Sequence, residues 1–326
     1  MRHSAEPRFG AFRGGSGEAC GKAARFSRGS EEEIAMKKLL IAIILPAILV
    51  LSRMAAGQAA AGSLDDQLGT AASIGDTATV ERLLQSGAHI GAKDENGDTP
   101  LILAAQSGQT AVVTLLLAKG ANIEDADEQG YTPLFSAVSA GFIETVKLLL
   151  EKGANLEARE SQMGDTPLFW AAMSGKSDIV ELLLENKANI EATNLVGQTA
   201  LIGAAQAGKT GVVTLLLAKG VNIEAKDKDG MTALIVASDK GKTDVAKLLL
   251  EKGANVEARD SSGATALIWS ALEDEVWAGF PDLTELLLEK GARVDDKDNK
   301  GDTALMVAQR TQKTEVVKVL QAHGAQ

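Results

Sequence analysis

Apolar and polar positions along this chain recur with a period close to 33 residues, and within each period the apolar ones rise and fall twice at helical spacing. One copy shows the pattern in full. Thr99 is placed to cap a helix that Pro100 opens, since proline in the first turn gives up no needed hydrogen bond. Ala104 and Ala105 are small enough to let a second helix lie close, and that helix is predicted over residues 111–119, where Val112, Val113, Leu115 and Leu116 share a face. Gly120 stops it in a left-handed conformation, and residues 121–129 project as an extended finger.

The same register runs through most of the chain. Gly-x-Thr-Pro/Ala-Leu starts at Gly97, Gly130, Gly164, Gly197, Gly230, Gly263 and Gly301, in steps of 33, 34, 33, 33, 33 and 38. A leucine triplet follows in each of six copies, centred on Leu116, Leu149, Leu183, Leu216, Leu249 and Leu287. Residues 104–124 and 204–224 are nearly duplicates. One helix pair cannot bury its leucine face alone, so copies must stack and share interfaces.

This register resembles the ankyrin repeat family, whose unit is a β-turn and two antiparallel helices with a Thr-Pro-Leu-His signature. The resemblance covers residues 64–326. It implies an all-α solenoid of about eight helix–turn–helix repeats with β-turn fingers: an N-terminal cap over 64–96, internal repeats over 97–300 and a C-terminal cap over 301–326. Both caps are expected to be more polar, with Asp65, Asp66, Gln67, Arg82 and Gln85 in the first and Lys313, Glu315, Lys318 and Gln321 in the last. One departure is uniform. Ile102, Phe135, Phe169, Ile202, Ile235, Ile268 and Met306 stand where the family has histidine, which implies apolar packing at that position.

Composition fits an array of close-packed helices: hydrophobic residues are 45% of the chain but aromatics only 3%, so Leu, Ala, Val and Ile fill the core. The formal charge of −11 opposes nucleic-acid binding, which draws its affinity from clustered Lys and Arg. The single cysteine, Cys20, allows no disulfide within one chain.

Residues 36–61 have the three zones of a secretory signal peptide: Lys37 and Lys38, apolar 39–51, then a small-residue tail with cleavage expected after Ala59 or Ala61. The apolar run of 13 residues is short of the ~20 that span a bilayer. An uncleaved anchor is the competing reading. Residues 1–35 read as an untranslated or disordered leader, because the codons of Glu31 to Glu33 suit a ribosome-binding site ahead of Met36; an Arg-rich transit peptide is the alternative. Nine Lys/Arg and five Asp/Glu lie in residues 1–62, so the remainder carries −15. The expectation is an acidic, monomeric protein, periplasmic or secreted, with no membrane segment after cleavage.

Three motifs in the chain resemble chemical sites. Residues 203–210 fit the phosphate-binding string G-x-x-x-x-G-K-[ST], with Lys209 as its lysine, but a phosphate loop must follow a strand, and 201–207 is predicted to be a repeat's first helix. The stretches 125–130 and 296–301 resemble the start of a calcium loop, yet the twelfth position is Ser136 or Val307 instead of glutamate, and acids such as Asp127 and Asp298 read as solvated finger tips. The histidines His3, His89 and His323 lie too far apart along the chain to form a metal or nucleophile cluster. No cofactor or catalysis is expected.

What the resemblance implies instead is a protein partner on the concave side, made by finger tips and first helices. The tips differ from copy to copy while the scaffold repeats. Tyr131, Met163, Leu195, Val196 and Met231 at finger positions, with Trp170, Met173 and Trp269 on first helices, are the candidate contacts, because large apolar side chains anchor interfaces. Packing between repeats is the competing role. A five-residue insertion around Trp277 and Phe280 is either functional or a tuck onto the back of the array. The function expected is an envelope scaffold, with a secreted effector acting on host or competitor proteins as the alternative.

Overall fold

The computed structural model describes residues 62–272 and 279–326; the leader, the signal segment and Trp277 of the insertion lie outside them. Sixteen helices occur among the described residues, in eight pairs. They are α1 (Leu64–Ile74) and α2 (Thr77–Gln85), α3 (Pro100–Gln106) and α4 (Thr110–Ala118), α5 (Pro133–Ala140) and α6 (Ile143–Glu151), and α7 (Pro167–Ser174) and α8 (Ser177–Glu185). The second half holds α9 (Ala200–Gln206) and α10 (Thr210–Ala218), α11 (Ala233–Asp239) and α12 (Thr243–Glu251), α13 (Ala266–Ser270) and α14 (Pro281–Glu289), and α15 (Ala304–Arg310) and α16 (Thr314–Ala322).

Ser63 caps α1, and a threonine stands at the start of each later first helix. The hydroxyl oxygens of Thr99, Thr132, Thr166, Thr199, Thr232 and Thr303 accept from the backbone N–H three residues on, and Thr265 alone makes no such bond. The second helices end in a paired-bond cap: the Gly120 N–H donates to Leu117 O and the Ala121 N–H to Leu116 O, with Gly120 at φ +93°. At the same place in α8 the chain has Lys187, held at φ +74° without glycine's freedom. Lys187→Gly is expected to raise stability by about 1 kcal/mol, the left-handed penalty lifted from a side-chain-bearing residue. A urea midpoint at or below that of the unaltered chain would contradict it.

The middle leucine of every triplet is wholly buried, while its two neighbours are half-buried at the edge of the core. Three consecutive residues span about 200° of a helix, so only the central one can point straight at the adjoining repeats. One continuous apolar cluster results, running from Leu68 to Leu320. Through the first seven pairs, first helices approach one another more closely than second helices do, which makes theirs the inner side of the stack. Gly203 gives the closest approach: a Cβ there would lie 2.8 Å from the Phe169 ring of the preceding repeat.

Three expectations need correction. Six of the residues standing in for histidine are buried, but Met306, on the first helix of the last described pair, is 44% exposed. Lys313 of the final cap is buried, its stem laid against Gly279, although Glu315, Lys318 and Gln321 are exposed as expected. The first pair shows exposed Asp66, Gln67, Arg82 and Gln85, but also exposed Leu64 and Ile74.

Candidate partner-binding surface

The fingers are built by their own acids. In each, the first turn residue accepts from backbone N–H groups two and four positions on: Asp94 from Asn96 and Asp98, Asp127 from Gln129 and Tyr131, Asn194 from Val196 and Gln198. Asp227, Asp260 and Asp298 repeat the arrangement. The third finger has one residue more, and there Glu160 replaces aspartate; its longer side chain reaches the N–H groups of Gln162, Met163 and Asp165. These carboxylates therefore close turns. Asp127 and Asp298, expected as solvated tips, are half-buried turn caps, and Asp296 pairs with Arg259 and Arg293. Among the described residues no group of three or more His, Cys, Asp or Glu is placed to hold a metal ion.

Neighbouring fingers are joined tip to tip. Glu128 N–H donates to Asn96 O, Ser161 to Gln129, Leu195 to Met163, Lys228 to Val196, Ser261 to Asp229 and Asn299 to Ser262. A second relay runs just beyond the second helices. The Asn122 side chain accepts from the Glu124 N–H, and the Glu124 carboxylate accepts from the Asn155 N–H of the next repeat. It continues through Glu157 to Asn189, Glu191 to Asn222, Glu224 to Asn255 and Glu257 to Arg293. The Asn-x-Glu spacing was visible in the sequence, but its partner 31 residues or more away was not.

On this frame the structure brings some candidate residues together and separates others. Leu195 and Val196 stand out on the fourth finger, 57% and 37% exposed. Leu195 lies over Gly164, beside Met163 of the finger before it. Tyr131 and Trp170 meet across two repeats, ring centroids 6.4 Å apart and tilted by 55°. Beneath both is Phe135, stacked on Tyr131 at 4.7 Å and 5.7 Å from Trp170. Met173 is half-buried one turn along α7, and Met231 is half-buried against the core two fingers further on. Trp269 belongs to the interior: it is 8% exposed and its indole N–H donates to Asp260. Sequence reasoning took Phe135 only as a stand-in for histidine; its place four residues after Tyr131, in a helix that Thr132 starts, was the available signal.

Burial pushes the Tyr131 hydroxyl up to about 12, with Glu160, Asp127 and Asp165 adding negative charge around it. Burial likewise raises Asp127 and Asp227, against the backbone N–H groups that each accepts. Because the chain has one tyrosine, absorbance at 295 nm reports Tyr131 alone. Its midpoint is expected near 12 rather than the usual ~10. A folded-state value raised above the unfolded one gives stability that is whole below pH ~10 and is lost as pH climbs toward about 12. Tyr131→Phe should flatten that part of the stability profile. A titration midpoint near 10 in the folded protein would refute the burial argument.

The phosphate-loop match does not form a phosphate cradle. The N–H groups of Ala207, Gly208, Lys209 and Thr210 donate to Gly203, Ala205, Ala204 and Gly208 carbonyls, so none points at a ligand. Lys209 lays its stem over Gly175, as Gln109 does over Gly75, Lys176 over Gly141 and Lys242 over Gly208. That lysine is a packing element at the seam between repeats.

A family model described as ankyrin repeats (3 copies) matches residues 68–160, 155–227, 204–294 and 259–326. The chain belongs to the ankyrin repeat family. Among curated proteins none matched it. Ankyrin repeats commonly mediate protein–protein interaction, and proteins made of them are generally scaffolds without enzymatic activity. No described helix is long and apolar enough to cross a membrane.

Proposed function

We propose that this chain is an exported scaffold of a bacterial envelope that holds a partner protein against the fingers and first helices of its third to sixth repeats. One observation carries the reading. Leu195 and Val196 occupy an exposed turn tip fixed by main-chain hydrogen bonds on both sides, where water alone favours polar residues. Apolar side chains held out in that way gain free energy only when something covers them. Met163 beside them, the Tyr131–Trp170 pair, Met173 and Met231 extend the same surface, and the buried Trp269 does not. Residues 36–61 support export through their signal-peptide pattern.

A photo-cross-linking residue placed at Leu195, and in a second variant at the exposed Lys247 of α12, tests the surface in living cells. One defined adduct at 195 and none at 247 is the expected result. Equal labelling at both, or none at 195, would sink the reading. The N-terminal mass of the exported protein tests location: a first residue near Ala60 or Gly62 in the periplasmic fraction supports it, and an intact Met1 rejects it. Recovery from the culture medium instead would favour the effector reading.

A further inference from the structure

The Tyr131–Trp170 corner differs in kind from the Leu195–Val196 tip. Its two half-exposed rings are inclined at 55° over the buried Phe135, and one face of Tyr131 is closed by that stack. The remaining aromatic surface carries the negative side of the ring quadrupole. Three carboxylates are near enough to act on the tyrosine's charge: Asp127 of its own finger, and Glu160 and Asp165 of the next. Glu160 and Asp165 are buried and cannot swing away, since the first accepts from three backbone N–H groups and the second from the Asn194 amide. The cations of the adjoining fingers are held by backbone carbonyls, and the Lys93 charge also acts on Asp127. Lys93 donates to Ala126 O, and Arg159 to the carbonyls of Gly164 and Thr193.

An aliphatic side chain would gain only contact area here, and an acidic one would be repelled. A cation gains from both the ring faces and the negative charge of the nearby carboxylates. We propose that the corner between Tyr131 and Trp170 receives one basic side chain, lysine or arginine, presented by the partner protein. The charge of −11 on the whole chain favours a basic partner at longer range. This rests on the protein-partner reading above and adds the chemistry of one contact to it.

The test uses the full chain, labelled with nitrogen-15, and follows the Trp170 indole N–H resonance, assigned with Trp170→Phe. N-acetylated Gly-Arg-Gly and Gly-Lys-Gly amides are titrated in, with N-acetylated Gly-norleucine-Gly and Gly-Glu-Gly amides as probes of similar size, so that the basic side chain is the sole cation. Saturable shifts with the two basic peptides alone, weakened severalfold by added salt, are expected. Tyr131→Leu should weaken binding by roughly three- to tenfold while Tyr131→Phe retains it, because the ring face is the receptor. Far-UV circular dichroism and the remaining indole resonances establish that both variants are folded. Equal shifts with the norleucine peptide, or no shift with either basic peptide, would overturn the proposal. Cross-linking at position 195 without a peptide response defeats this inference alone, whereas a peptide response without cross-linking defeats the wider function.

Discussion

Phe135→Ala is expected to lower stability by about 3–5 kcal/mol, measured by urea unfolding, because a ring removed from a closed site leaves a cavity that its surroundings only partly fill. The side chain is fully buried and lies under both Tyr131 and Trp170. Other repeats place Ile102, Ile202, Ile235 and Ile268 at the same position, so the scaffold accepts a branched aliphatic there. Phe135→Ile should therefore cost much less, on the order of 1 kcal/mol. Both variants remove the support under Tyr131, and its titration midpoint should move back toward the ordinary tyrosine range. The pair of substitutions separates two roles: if the isoleucine variant matches alanine in stability, the phenylalanine is specific to this repeat. If Tyr131 still titrates near 12 in both, the stack is not what buries it.

Leu183→Ala is the second large effect, expected at about 2–5 kcal/mol. Leu183 is the central leucine of the fourth pair, fully buried in the cluster that joins the repeats. In a linear array each unit touches only its neighbours, so the loss should be local. Hydrogen exchange should quicken most in α7 and α8, less in the third and fifth pairs, and least in α1, α2, α15 and α16. Uniform quickening along the chain would mean that the array unfolds as one body and that the neighbour-by-neighbour description is wrong.

The fold was legible because a repeated unit states its pattern many times: seven Gly-x-Thr starts and six leucine triplets determine where helices begin, where they end and which face is inside. What a repeat cannot state by itself is the exposure of a position that a neighbour covers. Trp170 and Trp269 occupy the same place in their repeats, yet one is half-exposed and the other buried. The difference comes from other residues. Asp260 is available to the Trp269 indole in its own finger, whereas the corresponding Glu160 is taken up by the longer turn it closes, and Trp170 leans on Phe135 and Tyr131 of the repeat before. Met306 and Lys313 misled for the same reason. The acidic tips were read as hydrated because their acceptors' donors are backbone groups, which side-chain identity does not reveal.

Seven successive turns share one seam of six amide-to-carbonyl bonds. A ligand arriving at that edge meets loops whose conformational freedom was surrendered when the protein folded, so little ordering remains to be done at the encounter. The edge behaves as a ruler with fixed graduations: it rewards a partner whose own features match the spacing of successive repeats, and offers little to one that would need the graduations to shift.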